Sequence, residues 1–271
     1  MRLRAATRRE TPMKNRKVCI AVPAYGHLVQ SACLESICQT QAALLSRGIG
    51  CGLLTVSIPH VSIARNALAT RVLEDGTYSH LLFVDADVAF SARAVLKMLR
   101  ANRAVIGCTY PAKALDVASL VGRARTHPRE DPRTVATSVQ RYVVKHLPGK
   151  PVIVNGLCRV AGIGMGLCLI QTKALRTVAE SGVSRFDGPW PWDSGEIAGP
   201  VLGIFDPLPL RAGFMPEDYS FCVRWSRCGG EVFALVTEDV AHLGQAVFSG
   251  AYVDKLLAGT SSRGRARTRR T

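Results

Sequence analysis

The chain has 271 residues, is 48% apolar and carries a formal charge of +15. Such a length and apolar share can bury a full core, which excludes a disordered chain. No apolar run reaches the roughly eighteen residues of a membrane helix, and the basic N-terminus lacks the apolar segment of a signal peptide, so the expected location is cytoplasmic.

Most of the charge is terminal. Residues 1–17 carry +6 and residues 261–271 carry +5, which leaves +4 for the body. The basic N-terminal arm (1–16) and C-terminal tail (259–271) read as disordered, solvated segments able to graze an anionic membrane or RNA. Met13 stands just before the first strand and is a possible true start. Nine cysteines, none in a C-x-x-C pair and several in apolar runs, read as reduced thiols packed as small apolar groups.

In chain order, Lys17–Pro23 is an apolar run closed by proline, a first strand, and Ala24-Tyr25-Gly26-His27 is the turn above it. Residues 28–47 read as a helix stopped by Gly48, and 52–58 as a second strand. Ser62 is placed to cap the next helix, whose first turn carries Ala64-Arg65-Asn66 and which ends before Asp75-Gly76. His80–Val84 is a third strand; Ser91 caps a helix over 92–101; 104–108 is a fourth strand. This βαβαβαβ alternation predicts an α/β fold with a mostly parallel, Rossmann-like central sheet and flanking helices.

Beyond Lys113 the rhythm changes. Residues 114–150 are polar and basic, with a helix expected over 134–146; strands are expected at 152–157 and 167–170, and a helix over 172–180. Residues 185–213 are rich in proline and glycine and include Trp190 and Trp192, a pair able to stack on a sugar. A helix from Pro216 to Trp225 and a strand at 231–236 precede Ala241-His242-Leu243-Gly244. Residues 17–258 are expected to form a single catalytic domain, with a nucleotide-binding half (17–113) and an acceptor half (114–258).

Leu81-Leu82-Phe83-Val84 runs directly into Asp85-Ala86-Asp87. A buried strand has no use for two carboxylates at its end unless a cation meets them, and ligands of α/β sheets sit beyond the carboxyl ends of the strands. Asp85 and Asp87 therefore predict a hard divalent ion holding a diphosphate. Glu217 and Asp218, in a helical first turn after a glycine-rich loop, are candidates to act as base on an attacking hydroxyl or to position it. His242 is a candidate ligand closing the metal site from across the sheet. Arg65 and Lys113 are candidates to meet the diphosphate. Gly162, Gly164 and Gly166 match no dinucleotide fingerprint and are expected to let a sugar or a second strand approach the backbone.

Six segments resemble glycosyltransferases of the GT-A fold, near the bacterial and phage Anp1-like and family-2-like groups: 21–26 (A-V-P-A-Y-G), 63–66 (I-A-R-N), 80–87 (H-L-L-F-V-D-A-D), 110–113 (Y-P-A-K), 217–222 (E-D-Y-S-F-C) and 241–244 (A-H-L-G). The resemblance implies a nucleoside-diphosphate sugar, a UDP- or GDP-sugar, and Mn²⁺ or Mg²⁺. It implies that Pro23, Tyr25, Arg65, Asn66, Asp85 and Lys113 face the donor, that Asp85, Asp87 and His242 serve the metal, and that Asp218 with Glu217 faces the acceptor or the reacting sugar carbon. Where such sequences often carry G-T-G-F, this chain has Gly162-Ile163-Gly164-Met165-Gly166.

Two other readings rank lower. A sugar-phosphate nucleotidyltransferase needs a glycine-rich, basic loop after the first strand, which Ala24–Leu28 does not supply. A non-catalytic nucleic-acid-binding protein needs its charge on the body rather than on the tails.

Overall fold

The computed structural model describes residues 16–187 and 199–245. The two arms up to residue 15 and from 259 onward, Met13, and the Trp190/Trp192 pair therefore lie outside the described residues. The first half runs β1 (Lys17–Pro23), α1 (Ser31–Leu45), β2 (Gly50–Val56), α2 (Val61–Asp75), β3 (His80–Val84), β4 (Val88–Ala89), α3 (Ala92–Ala101) and β5 (Val105–Cys108). There follow α4 (Val117–Thr126), α5 (Pro132–Val139), β6 (Val144–His146), β7 (Ile153–Val154), β8 (Leu157–Ile163), β9 (Leu167–Gln171) and α6 (Thr172–Glu180). The chain closes with β10 (Arg185–Phe186), β11 (Val201–Leu202), α7 (Glu217–Arg227), β12 (Val232–Leu235) and β13 (Ala241–His242).

The fold is a mixed α/β sandwich around one sheet of order β2-β1-β3-β9-β5-β12-β8-β6, with β7 also paired to β8. Strands β2, β1, β3, β5 and β12 point the same way. β3 and β5 are not neighbours, as a simple parallel alternation would make them. β9 enters between them, antiparallel to both. Leu167, Cys168, Leu169 and Ile170 are all buried, and a strand apolar on both faces is stable only where both its edges find partners. That insertion brings the second half of the chain into the middle of the first.

Side chains alternate across the sheet. Ile20, Leu82, Val84, Ile106 and Leu169 pack with α1 and α3, whereas Cys19, Ala21, Leu81, Phe83 and Ile170 pack with α2, α6 and α7. Six of the nine cysteines are buried in these layers; burial pushes the Cys19 thiol up to about 12, so it packs as an apolar group.

Three local expectations are corrected. Ser62 does not cap α2: His60 is the capping position and Ser62 lies inside the helix. The helix expected over 134–146 is α5, which ends at Val139, because 144–146 pair with β8. α4 was not expected: its short apolar stripe, Val117, Leu120, Val121 and Ala124, stands in a polar, basic stretch, and none of its residues is buried; Asp116 caps it by accepting from the Ser119 N–H at 2.9 Å.

Candidate functional site

The site forms above the carboxyl end of β3. The Asp85 N–H donates to the Gly166 carbonyl (3.0 Å) and the Val88 N–H to the Asp85 carbonyl (3.0 Å). This tight turn leads into β4, which pairs antiparallel with β13, setting His242 opposite Val88. Asp87 and His242 are thereby brought together although 155 positions separate them in the sequence, and His242 Nε2 lies 3.5 Å from Asp87 Oδ1.

The imidazole is oriented by its other nitrogen. His242 Nδ1 lies 3.0 Å from the Pro111 carbonyl oxygen, an acceptor only, so Nδ1 donates in that contact and Nε2 is the nitrogen left facing Asp87. Metal-binding histidines are held in the same way. The ring also meets Tyr110 edge-on at 5.2 Å.

Asp87 Oδ2 meets the Lys113 ammonium. Pro23, Tyr25, Leu28, Asp85, Asp87 and His242 share the lining of one cavity of about 300 Å³. Among the described residues no three His, Cys, Asp or Glu side chains gather as a metal site. Two carboxylates and one imidazole do line the cavity; they are donors of the type a hard divalent ion takes, but they do not converge on one point as a three-residue site. The Lys113 ammonium on Asp87 marks the same place as favourable to positive charge.

Arg65 takes a position the sequence did not indicate. Only 3% exposed, it lies beneath the cavity and does not line it. Nη2 donates to Asp85 Oδ1 at 2.7 Å and Nε to Glu217 Oε1 at 3.2 Å. Burial opposes its charge, but the carboxylates of Asp85 and Glu217 outweigh burial and hold the guanidinium firmly protonated. Two of its three nitrogens are thus engaged by protein carboxylates, and Nη1 is buried without a partner. Asn66 is likewise turned away: its amide nitrogen donates to Asp206 Oδ1 (2.7 Å) and its oxygen accepts from the Phe205 N–H (2.6 Å), fastening the 205–206 segment to α2.

Arg65 links one rim carboxylate, Asp85, to Glu217, the first of the two acids that open α7. Asp218 is half-buried beside Glu217. Burial first, and the Glu217 carboxylate second, push its carboxyl up to about 6, although the Tyr219 N–H donates to Oδ1 at 2.7 Å. It is poised to exchange a proton near neutral pH.

Tyr110 and the glycine run meet in the structure, a contact that sequence reasoning did not foresee. Tyr110 is buried, and its hydroxyl accepts from the Gly166 N–H at 3.0 Å. A Cβ on Gly166 would stand 2.7 Å from that hydroxyl and 3.0 Å from Asp85 Oδ2; one on Gly162 would stand 2.7 Å from the Tyr219 ring. Aromatic side chains approach the backbone at these glycines, and so does the expected second strand: β6 pairs with β8 there, Lys145 opposite Gly162. The available signal was a tyrosine two residues beyond a buried strand, in the same chain as a run of three alternating glycines.

No protein-family model matches the chain, and no curated protein does. Among solved structures, the protein A197 from STIV is 17% identical over 85% of this chain and 86% of its own, with a TM-score of 0.45. A mutant Drosophila galactosyltransferase 7 in complex with manganese, UDP-Gal and xylobiose is 12% identical over 94% and 82%, with a TM-score of 0.41. GalNAc-T7 with UDP, GalNAc and Mn²⁺ is 8% identical over 85% and 44%, with a TM-score of 0.43. At these identities and scores no family membership or activity is assigned from them.

Proposed function

We propose that the protein is a metal-dependent glycosyltransferase that moves a sugar from a nucleoside diphosphate to an acceptor hydroxyl. One observation carries the reading: Asp85, Asp87 and His242 line the same cavity, with the Nδ1 of His242 tied down so that its other nitrogen faces Asp87. Asp87 and His242, with Asp85, are the residues that would hold Mn²⁺ or Mg²⁺. The bound ion supplies positive charge against the departing diphosphate.

The chain's own residues account for the rest. Tyr25, 68% exposed at the cavity mouth beside Pro23, offers a ring face to the nucleoside. Lys113 is close enough to the rim to share its ammonium between Asp87 and a phosphate. Arg65 fixes Asp85 from below and ties it to Glu217, so the donor and acceptor sides of the site share one buried cation. Asp218 takes the proton from the acceptor hydroxyl as its oxygen bonds to the anomeric carbon. The bond from that carbon to the diphosphate oxygen breaks, and the pair of electrons leaves with the nucleoside diphosphate.

Turnover of UDP- and GDP-sugars should require added Mn²⁺ or Mg²⁺. Asp87→Ala should lower it by at least about a hundredfold, the usual scale for loss of a group that stabilises developing charge. Equal, nonzero turnover by wild type and variant would end the reading.

A further inference from the structure

On the α1/α3 side of the sheet, α3 leaves the far strands bare. A groove of about 790 Å³ opens there between α3 and the β7–β8 hairpin, with Leu157 and Phe233 among its lining residues. The hairpin turns through Asn155 and Gly156, whose φ angles of 52° and 77° suit an Asn-Gly turn. Its outer strand β7 is a short edge preceded by Lys150 and Pro151. Val152, Ile153 and Val154 nevertheless form an aliphatic strip that is 71%, 61% and 62% exposed. Val152 and Val154 line the groove, and Ile153 does not, as strand alternation requires.

The polar lining has one sign. Lys97, Arg100, Arg103 and Arg159 border the groove and no acid does. Lys97 is already paired with Glu238, and Arg159 with Glu231 at 3.1 Å. Among the described residues neither Arg100 nor Arg103 meets a carboxylate. The Arg103 guanidinium sits 4.3 Å over the Phe233 ring, and its buried Nε has no acceptor.

We infer that this face docks onto an anionic lipid bilayer, the Val152–Val154 edge entering the acyl boundary and Arg100 and Arg103 meeting lipid phosphates. The combination of exposed aliphatic side chains and unpaired cations is what an interface of apolar tails and anionic headgroups recognises. A second copy of the chain is disfavoured as occupant, because a two-fold contact would set the uncompensated Arg100 and Arg103 of each copy against those of the other. The inference is independent of the reaction proposed above.

Vesicle flotation with the full chain tests it. Phosphatidylcholine vesicles containing phosphatidylglycerol should bind the protein and pure phosphatidylcholine vesicles should bind it weakly. Arg100→Gln should lower partitioning about fivefold, the weight of one cation at an anionic surface. The double change Val152→Asp and Ile153→Asp should abolish most of what remains. Both variants keep the terminal arms and should keep the wild-type melting temperature, since all three positions are exposed. Binding undiminished in both variants would assign it to the arms and overturn the inference. So would equal binding to both vesicle types. So would capture by polyglutamate without vesicle binding, or a dimer in light scattering that Val152→Asp dissolves.

Discussion

Two aspartates one residue apart meet different partners. Asp85 is braced from below by buried Arg65, whereas Asp87 faces outward to His242 and Lys113. Asp218 is the residue whose titration reports the site. Its folded pKa, near 6 and above the usual carboxylate range because of burial and then Glu217, means that protonation is favoured in the native state. Its protonated form contributes stability below the unfolded pKa, and that contribution is lost as pH rises toward and through about 6. Asp218→Asn, which keeps the acceptor oxygen for the Tyr219 N–H, should raise the melting temperature by a few degrees at pH 7.5 without metal or nucleotide. That corresponds to on the order of 1–3 kcal/mol. The gain should vanish near pH 4. Turnover by wild type should rise through pH 6, and the variant should lose both the rise and most of the rate. A flat difference in melting temperature across that range would show that burial does not control this carboxyl.

At the level of elements, the site depends on how closely β8 and β9 approach the turn after β3. The link between them carries Gly164 and Gly166, and Tyr110 fills the space they leave while bonding the Gly166 backbone. Because the Asp85 N–H bonds the Gly166 carbonyl, the two peptide units flanking one glycine hold both the turn that carries Asp85 and the tyrosine. Gly166→Ala should therefore act on the site as well as on stability. An overpacked methyl costs about 1–3 kcal/mol, lowering the melting temperature by several degrees. The displaced Asp85 should cut turnover at least about tenfold at saturating metal. Wild-type turnover in a destabilised variant would mean that the turn tolerates the shift and that Tyr110 is only packing.

For the whole molecule, the cavity draws on both halves of the chain: Pro23, Tyr25 and Asp85 from one, His242 from the other. A ligand spanning them should stabilise the complete fold. At about a hundred times its dissociation constant, a ligand adds about 2.7 kcal/mol; for a chain of this size that is a rise of about 5–10 °C. UDP or GDP with Mn²⁺ should produce such a rise in a thermal melt, and Asp87→Ala should remove the part that depends on metal. A rise that is the same with and without Mn²⁺ would place nucleotide binding outside the Asp87 site.

The residues of the rim were legible because their chemistry conflicts with their surroundings. Carboxylates closing a run such as Leu81–Val84 call for a cation wherever the run folds, and period and punctuation placed β1, β3 and α6 at their ends. Local pattern could not say which strands are neighbours. The entry of β9 between β3 and β5 is decided by the pairing of edges across long separations. Nor could it say where a long side chain points. Arg65 and Asn66, in a helical first turn, were expected to face a donor, yet tertiary packing buries both against acids and backbone 139 to 152 positions away. The sequence by itself determined which groups demand partners; only the folded chain, by bringing distant segments within hydrogen-bonding reach, decided which partner each one met.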